Sequence, residues 1–338
     1  MNRKPKLSDV AELAGVSVST ASQVMRGAGR ISDDTTARVR KAADKLRYVV
    51  NERAASMRSG NNREIGFVIN QIANPFNAEV ISGVSDLLED KGYLVSVLDA
   101  RDDPVRQHQH LASFIRSGRA GLLWVPAFGT REDDLELLKS HRVPTVTFLR
   151  KIDARAFDHI GVANEDATAT ATRYLVDAGH REIAYLGGTT MTTVRSARIA
   201  GYKKTLQQFT DCDPIVWDCD DNKLAGLDQI QALRSAHPQV TAVVCNGDMV
   251  ALGALLGLQR MGLRAGKDLA VVGFDDIQDA AASTPTLTTM SICPYKLGQR
   301  LAQTLLRRLE SPESPIEMIE VTARLIERDS ATPKPCSA

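Results

Sequence analysis

Residues 7–25 read LSDVAELAGVSVSTASQVM, and this stretch decides how the chain begins to fold. Its apolar side chains recur at helical spacing as far as Ala14, and Ser8 or Asp9 is placed to cap the start of that helix. Gly15 breaks the pattern, and Ser17 is a good cap for a second helix that runs to Met25. Two short helices joined by a tight glycine-containing turn are typical of a helix-turn-helix unit.

A third helix is indicated directly downstream. Ser32 supplies the cap, Asp33 and Asp34 suit the positive end of the helix dipole, and the apolar positions between Val39 and Leu46 face inward. The three helices together make a minimal three-helix unit. Such a unit also suits a bundle cap that binds no ligand, so the surface of the second helix decides between the two interpretations.

The second helix carries small side chains at its amino end, where a recognition helix enters the major groove. Gln23 can pair bidentately with adenine, Val18 can pack on a thymine methyl group, and Arg26 and Arg30 can hold phosphates. The candidate DNA-binding residues of this unit are Ser17, Val18, Ser19, Thr20, Gln23 and Arg26.

Charge is distributed unevenly along the 338 residues. Residues 1–60 contain 12 Lys and Arg against 6 Asp and Glu, whereas the remainder carries a net charge of −5. A compact basic segment on a mildly acidic body suits binding to a phosphate backbone, although a basic surface that is merely solvated would look the same. The pattern therefore favours nucleic acid without establishing it.

The bulk composition predicts a cytoplasmic protein of several domains. No apolar run is long enough to span a bilayer, and no signal peptide opens the sequence, so we expect no membrane partner. The five cysteines are scattered without metal-ligand spacing, and we expect reduced thiols and no metal site.

The first sixty residues resemble the headpiece and hinge of the LacI/GalR family of bacterial transcriptional regulators. The likeness rests on the run quoted above and on GRISDDTTARVRKAADKLRYVVNERAASMRSG at residues 29–60. It implies a maltose-regulator-like or related sugar-metabolism repressor, whose hinge, residues 51–59, becomes a short helix on operator DNA. By position the hinge contacts are Asn51, Arg53, Ala54, Met57 and Arg58.

Three positions depart from the usual family pattern. Met57 stands where Leu is customary; an apolar wedge there would kink the duplex, and the plainer alternative is a linker residue that packs on the core. Gln23 stands where many members have Arg, which predicts a different operator base. Val50 stands where many have Pro, which removes a rigid φ constraint before the hinge.

After residue 62 the pattern changes to short apolar runs that alternate with amphipathic helices, as in parallel sheets with helices on both faces. Seven or more strands favour two subdomains that face each other across a cleft, with ligands beyond the carboxyl ends of the strands. The clearest strands are expected at 65–69, 94–98, 122–125, 145–148, 183–186, 240–244 and 270–274.

This part also resembles the family core, which is similar to a periplasmic sugar-binding protein. The matching segments are NPFNAEVISGV, YLVDAGHREIAYLGG, RIAGY, MVALGAL, LAVVGFDD and STPTLTTM. The likeness implies three crossings between subdomains, near Val162, Ile292 and Val321. The expected divisions are a helix-turn-helix headpiece at 1–50, a hinge and linker at 51–62, core subdomains at 63–162 with 293–321 and at 163–292 with 322–330, and a tail at 331–338.

By position the resemblance assigns effector contacts to Asn74, Phe76, Asn77, Arg150, Asp166, Arg198 and Asp275. These side chains suit vicinal hydroxyls, or an anionic group at the arginine. Plainer roles remain open: Asp166 as a helix cap, Arg198 in a surface ion pair and Asp275 in a tight turn. Gly247 and Ile292 replace common polar contacts, which predicts either an effector that is not a typical sugar or one bound in an altered orientation.

The sequence offers no nucleophile, base or phosphate-binding loop, so we expect neither an enzyme nor a cofactor. The expected partners are a pseudo-palindromic double-stranded operator, a small effector and a second copy of the chain in a homodimer without a carboxyl-terminal coiled coil. Whether the effector induces or co-represses stays open. The alternatives are a small-molecule binding protein without a DNA-dependent role, for example one serving a transporter, and an α/β enzyme.

Overall fold

The computed structural model describes residues 3–50, 62–152, 156–188 and 192–331, and the chain divides into two compact units at residue 62. The first unit contains three helices: α1 (Leu7–Ala14), α2 (Val18–Met25) and α3 (Asp33–Leu46). Val10, Ala21, Val24 and Val39 form its small buried core. The helix-turn-helix prediction is confirmed, and the bounds of the first two helices agree with it.

The start of α1 differs from the prediction. Lys6 occupies the N-cap position, and the Asp9 carboxylate, three residues on, accepts the backbone N–H of Lys6 at 2.9 Å. Ser8 is therefore not the cap, because it lies inside the first helical turn and an N-cap residue precedes that turn. Asp9 also lies inside the turn, but its carboxylate accepts the N–H of the N-cap residue, as in a capping box. At the end of α1, Gly15 adopts φ +67°, a left-handed conformation that glycine accepts without strain.

The second unit contains two six-stranded sheets with helices on both faces, and the predicted α/β fold class is confirmed. The elements of its first part are β1 (Glu64–Ile69), α4 (Pro75–Glu89), β2 (Leu94–Asp99), α5 (Pro104–Arg116), β3 (Gly121–Trp124), α6 (Glu132–Ser140), β4 (Thr145–Phe148) and β5 (Asp158–Val162).

The remaining elements in chain order are α7 (Asn164–Asp177), β6 (Ile183–Leu186), α8 (Thr193–Phe209), β7 (Ile215–Trp217), α9 (Lys223–Ala236), β8 (Ala242–Cys245), α10 (Asp248–Arg260), β9 (Ala270–Asp275), α11 (Gln278–Ala282), β10 (Thr288–Ser291), α12 (Pro294–Glu310), β11 (Met318–Val321) and β12 (Arg324–Ile326). A short 3₁₀ helix, Asp329–Ala331, follows.

The first sheet has the strand order β11-β5-β4-β3-β1-β2 and is parallel throughout. The second has the order β12-β10-β9-β8-β6-β7, in which β12 alone runs antiparallel to its neighbour β10. We call the part built on the first sheet the N lobe and the part built on the second the C lobe. The chain passes between the lobes after β5, after β10 and after β11.

The predicted strands are all present, with ends within two residues of those expected. The strand beginning at Ala242 was predicted to begin at Val240, but Val240 precedes the ladder and donates its N–H to His237 O. The sheets are buried because helices cover both faces, so these strands read as continuous apolar runs. No helix among the described residues is long and apolar enough to cross a membrane.

Candidate functional site

The amino end of α2 is open on the surface of the first unit. Ser17 caps the helix, since its hydroxyl oxygen accepts the backbone N–H of Thr20 at 3.0 Å. Val18 is 50% exposed and Ser19 is exposed, whereas Ala21 and Val24 on the opposite face are buried. The helix therefore presents its first turn outward while its other face holds it against α1 and α3.

Gln23 and Arg26 lie further along the same helix. Gln23 is half-buried, and its side chain packs against Gly29 in the turn that follows α2. The contact is close, because a Cβ atom added to Gly29 would lie only 3.2 Å from Gln23 Oε1. Arg26 is exposed and its Nε donates to Ser22 O at 3.2 Å. The hinge candidates Asn51, Arg53, Ala54, Met57 and Arg58 lie outside the described residues.

The second unit holds a cavity of about 180 Å³ between the lobes. It lies beyond the carboxyl ends of strands from both sheets, where α/β folds place their ligands. Asn70 follows β1, Arg150 comes after β4, Asn246 follows β8 and Asp275 ends β9. The lining side chains are mostly polar or charged, and Phe76, Leu149, Val194, Met249 and Val250 supply the larger apolar contacts.

Three lining residues other than glycine adopt left-handed backbone angles, which cost energy unless their surroundings hold them. The φ angles are +56° at Asp102, +60° at Leu149 and +114° at Asp275. Asp276, next to Asp275, has φ +61° and accepts a hydrogen bond from Arg328 Nη2 at 2.7 Å. Strained backbone concentrated around one cavity is typical of a functional site.

Arg198 is buried on the C-lobe side of the cavity, so the interpretation of an exposed surface ion pair is wrong. Its Nε donates to Asn164 Oδ1 at 2.8 Å, its Nη1 donates to Asn246 O, and its Nη2 lies 3.9 Å from Asp275 Oδ1. The guanidinium carbon also lies 3.6 Å from the centroid of the Phe274 ring. These contacts fix the plane of the guanidinium and leave it little freedom to turn.

Two further arginines line the cavity, each in an ion pair. Arg150 binds Asp102 through both terminal nitrogens, with Nη2 to Oδ2 at 2.8 Å, and also donates to Pro126 O. Arg195 is buried at the start of α8, where Nη2 donates to Asp218 Oδ1 at 2.5 Å and Nε to Gly187 O at 3.1 Å. Bidentate pairing gives directional as well as charge selectivity.

Burial changes the acidity of the carboxyl groups behind the cavity. Asp248 is fully buried, and desolvation raises its pKa well above the usual value even though Thr289 and the backbone N–H of Ile277 donate to it. Desolvation likewise raises the pKa of Asp275, an effect that the Arg198 charge opposes. The carboxyl group of Asp275 therefore holds a proton more readily than an exposed aspartate.

The cavity brings together five of the seven effector candidates: Asn74, Phe76, Arg150, Arg198 and Asp275. Asn77 does not line it, because this buried side chain turns inward and donates to Asn70 Oδ1 and Gln71 O. Asp166 does not line it either, since it lies exposed in the first turn of α7. Asn74 also caps α4 by accepting the N–H of Phe76 at 3.0 Å.

The sequence interpretation missed several lining residues. Asn70 and Asn246 each come directly after an apolar run, so their position at a strand end was a usable signal. Asp102, Arg195 and Asp221 lie in turns or at a helix start and gave no comparable signal. Among the described residues, no group of three or more His, Cys, Asp or Glu is arranged to hold a metal ion.

Two family models match the chain. Residues 6–51 match the model described as bacterial regulatory proteins, lacI family, and residues 172–331 match a periplasmic binding protein-like domain. The first match covers the three-helix unit together with the first hinge position, and the second covers most of the C lobe and the last helix of the N lobe.

Known relatives match the chain over nearly its whole length. The chain is 29% identical to the maltose regulon regulatory protein MalI of Escherichia coli K12, over 96% of this chain and 98% of MalI. It is 30% identical to the HTH-type transcriptional repressor PurR of Edwardsiella ictaluri, over 97% of each chain. Both relatives are named as transcriptional regulators.

A solved structure supports the same assignment. The lac repressor dimer bound to operator and the anti-inducer ONPF superposes with a TM-score of 0.85 at 26% identity, covering 97% of this chain and 99% of that one. The chain therefore belongs to the LacI family of bacterial regulatory proteins and is a DNA-binding transcriptional regulator.

Proposed function

We propose that the chain is a homodimeric repressor that binds a pseudo-palindromic operator and whose operator affinity is set by a small polar effector between the lobes. One observation carries this proposal: the same chain joins a helix-turn-helix with an open recognition edge to a strained polar cavity at the ends of two sheets. The lac repressor structure, which contains both operator and anti-inducer, supports it by similarity.

The DNA-binding residues follow from the exposed edge of α2. Val18, Ser19, Thr20 and Gln23 read base edges, while Ser17 and Arg26 contact phosphates. Residues 51–59 act as the hinge, and Met57 is the minor-groove wedge. The protein acts in the cytoplasm, where its operator DNA lies.

The effector site consists of the cavity between the lobes. Residues 63–162 with 293–321 form one body and 163–292 with 322–330 the other, so a ligand that contacts both bodies favours one relative arrangement of the two. Only differential binding to the two arrangements can change operator affinity. The function of the cleft is regulation by binding, without turnover and without a cofactor.

A surface of the C lobe fits a second copy of the chain. It consists of the exposed Leu224 and Leu256, 74% and 47% exposed, together with Leu252, Leu255 and Ala282. An ion pair between Lys223 Nζ and Asp279, 2.5 Å long, lies beside these apolar side chains. A contiguous apolar patch with a polar margin is typical of a protein interface, and a twofold axis would place the same patch on both partners.

The dimer is tested by sedimentation of the full chain carrying Leu224→Glu and Leu256→Glu. We expect the variant to sediment as a monomer instead of a dimer. It should remain folded, with a cooperative thermal unfolding transition. Leu94→Glu is the matched control, since Leu94 is 65% exposed but lies on the N lobe. A dimer that persists in the double variant would show that copies associate through another surface.

The DNA role is tested by selecting operators from a randomised library with the full chain and measuring anisotropy on the selected duplex. Gln23→Ala should change the preferred base at one position of each half-site, at a cost of about 1–3 kcal/mol for the original base. Arg26→Ala should weaken binding to all DNA sequences by a similar factor, because a phosphate contact does not depend on the base. If Gln23→Ala also weakened all sequences equally, α2 would not be the recognition helix, and absence of any selected site would overturn the proposal. Adding the effector in the same assay gives the sign of the response.

A further inference from the structure

We infer that Asp221 makes the cavity selective for an uncharged or amine-bearing effector and against anionic ones such as sugar phosphates and sugar acids. This inference rests on the proposed effector function of the cleft. It concerns the chemical class of the ligand and the residue that enforces it.

Every arginine that lines the cavity already has a carboxylate within 4.0 Å. The pairs are Arg150 with Asp102, Arg195 with Asp218, and Arg198 with Asp275. An anionic ligand that bound one of these guanidinium groups would have to share it with that carboxylate or displace the carboxylate. Displacing that carboxylate would cost most at Asp275, whose side chain is 14% exposed, and least at Asp218, which is 61% exposed and would return to water.

Asp221 is the lining carboxylate that remains. It belongs to the loop between β7 and α9 and is accessible from the cavity. Its hydrogen-bond donors are neutral: Asn246 Nδ2 donates to its Oδ1 at 2.8 Å, and the backbone N–H of Gly188 also donates to it. Desolvation raises the pKa of Asp221, and these hydrogen bonds and the charges of Arg198 and Arg195 oppose that rise. The ion pairs found for the three lining arginines are made with other carboxylates.

A buried tyrosine fixes the orientation of the Asn246 amide. Tyr185 donates its hydroxyl hydrogen to Asn246 Oδ1 at 2.6 Å, and burial raises the pKa of Tyr185, so the hydroxyl keeps its proton. With its oxygen engaged, the amide has its nitrogen directed at Asp221. The carboxylate is thereby held in place with acceptor capacity left for a ligand.

The three pairs and Asp221 together contain four carboxyl groups and three guanidinium groups, and desolvation raises the pKa of two of the four, Asp275 and Asp221. A ligand phosphate or carboxylate near Asp221 would meet a like charge, and the juxtaposition of like charges weakens binding. A hydroxyl or an ammonium group would instead donate to Asp221. The cavity of about 180 Å³ has room for a small polar ligand.

The test uses the full-length chain and isothermal titration with matched sets of pentoses and hexoses. Each set contains the neutral sugar, its 2-amino derivative where one exists, its terminal phosphate and its aldonic acid. We expect at least one neutral or amino sugar to bind, with its anionic counterparts at least tenfold weaker. An anionic member that binds as tightly as its neutral counterpart would overturn the inference, and so would a complete lack of binding by neutral and amino sugars at 10 mM.

Three variants assign the selectivity to its residue. Asp221→Asn should weaken binding of the neutral or amino sugar at least tenfold and reduce the ratio of its affinity to that of the sugar phosphate. Asp221→Glu should keep the preference for the neutral or amino sugar. Asp220→Asn is the matched control, because Asp220 is exposed in the same loop and does not line the cavity. Unchanged binding in a folded Asp221→Asn variant would contradict the role of Asp221. Operator binding by the same samples is read separately, so failure of the DNA role and failure of this inference are distinguishable.

Discussion

The basic side chains of the headpiece and those of the cleft differ in what surrounds them. All ten Lys and Arg residues between positions 3 and 50 are exposed, and the ion pairs found among them are Arg3 with Asp9 and Arg38 with Asp34. In the cleft, Arg195 and Arg198 are buried and held by several fixed acceptors each.

The difference shows how one residue type serves two kinds of ligand. Exposed cations on flexible side chains bind any phosphate backbone, and most of that affinity comes from the release of counterions. A paired and immobilised guanidinium offers little net charge but a fixed set of donor directions, which suits recognition of shape and hydroxyl position. The neighbours of an arginine, more than its charge, decide which use it has.

Salt should separate the two regions most strongly. Raising the salt concentration from 50 to 200 mM should weaken operator binding by about 10³-fold to 10⁵-fold if roughly six to ten phosphates are contacted. Over the same range of salt, the affinity of the cleft for a neutral sugar should change by less than about twofold, because this binding releases no counterions. Anisotropy and calorimetry measure the two affinities. An operator affinity that is flat with salt would contradict the role given to the exposed headpiece cations.

Removing Arg198 should damage the core and leave the headpiece intact. Arg198→Ala leaves Asp275 and Asn164 without their partner, and breaking a buried pair in this way costs about 3–5 kcal/mol. We expect a lower denaturation midpoint of the core and loss of sugar binding. Lys204→Ala is the control, since its pair with Glu165 is exposed and worth about 0–1 kcal/mol. Equal effects of the two substitutions would mean that the contacts of Arg198 do not stabilise the lobe.

Acid should destabilise the core through one buried histidine, His159. Burial lowers the pKa of His159 from 6.5 to about 4, and its Nδ1 lies 2.9 Å from Thr147 Oγ1. Below pH 6.5 His159 takes up a proton in the unfolded chain but not in the folded one. The folded state therefore keeps its full stability above pH 6.5 and loses stability as the pH falls towards 4. The loss is up to about 3 kcal/mol.

Denaturation of the full chain between pH 7 and 4 checks this expectation. His159→Gln should flatten the pH dependence, and His141→Gln, at an exposed position, should not. The same slope in both variants would assign the acid sensitivity to other groups.

The smallest effect is expected at the cap of the recognition helix. Ser17→Ala removes the acceptor for the N–H of Thr20 and should cost the headpiece about 1 kcal/mol. Operator affinity should fall a few-fold while the denaturation of the core stays unchanged. Ser8→Ala, which removes a serine that is not a cap, is the control. A change in the core midpoint would show that the two units do not unfold independently.

Local signals made the headpiece predictable from sequence. Gly15 and Ser17 act on their own turns, so the bounds of α1 and α2 could be inferred from nearby residues. Seven of the twelve strands that the structure describes were equally clear as apolar runs, whereas the buried and mostly polar β10 was not predicted. The strand β5 was not predicted either, because its polar Asp158 is buried through partners far along the chain: Arg308 donates to both carboxylate oxygens, and the backbone N–H of Glu317 donates to one of them.

The cleft was predictable only in part for the same reason. Arg198 and Asp275 were predicted from the family resemblance, because the matching motifs place effector contacts at the ends of strands. Arg195 and Asp221 acquire their roles from loops of different strands, and no window of sequence contains both partners of either contact. Charge pairing across a cavity is therefore a property of the folded chain.

The single crossing back into the N lobe, after β10, has a consequence for synthesis. The first sheet cannot be completed until β11 has been made, and α12, which packs against α4, is also translated late. At about 5–20 residues per second, roughly 13 to 52 s pass between completion of the headpiece and completion of that sheet. The segment that recognises DNA thus leaves the ribosome well before the body that regulates it, and a chain truncated by a premature stop codon within this interval would carry a complete helix-turn-helix without a finished sensor.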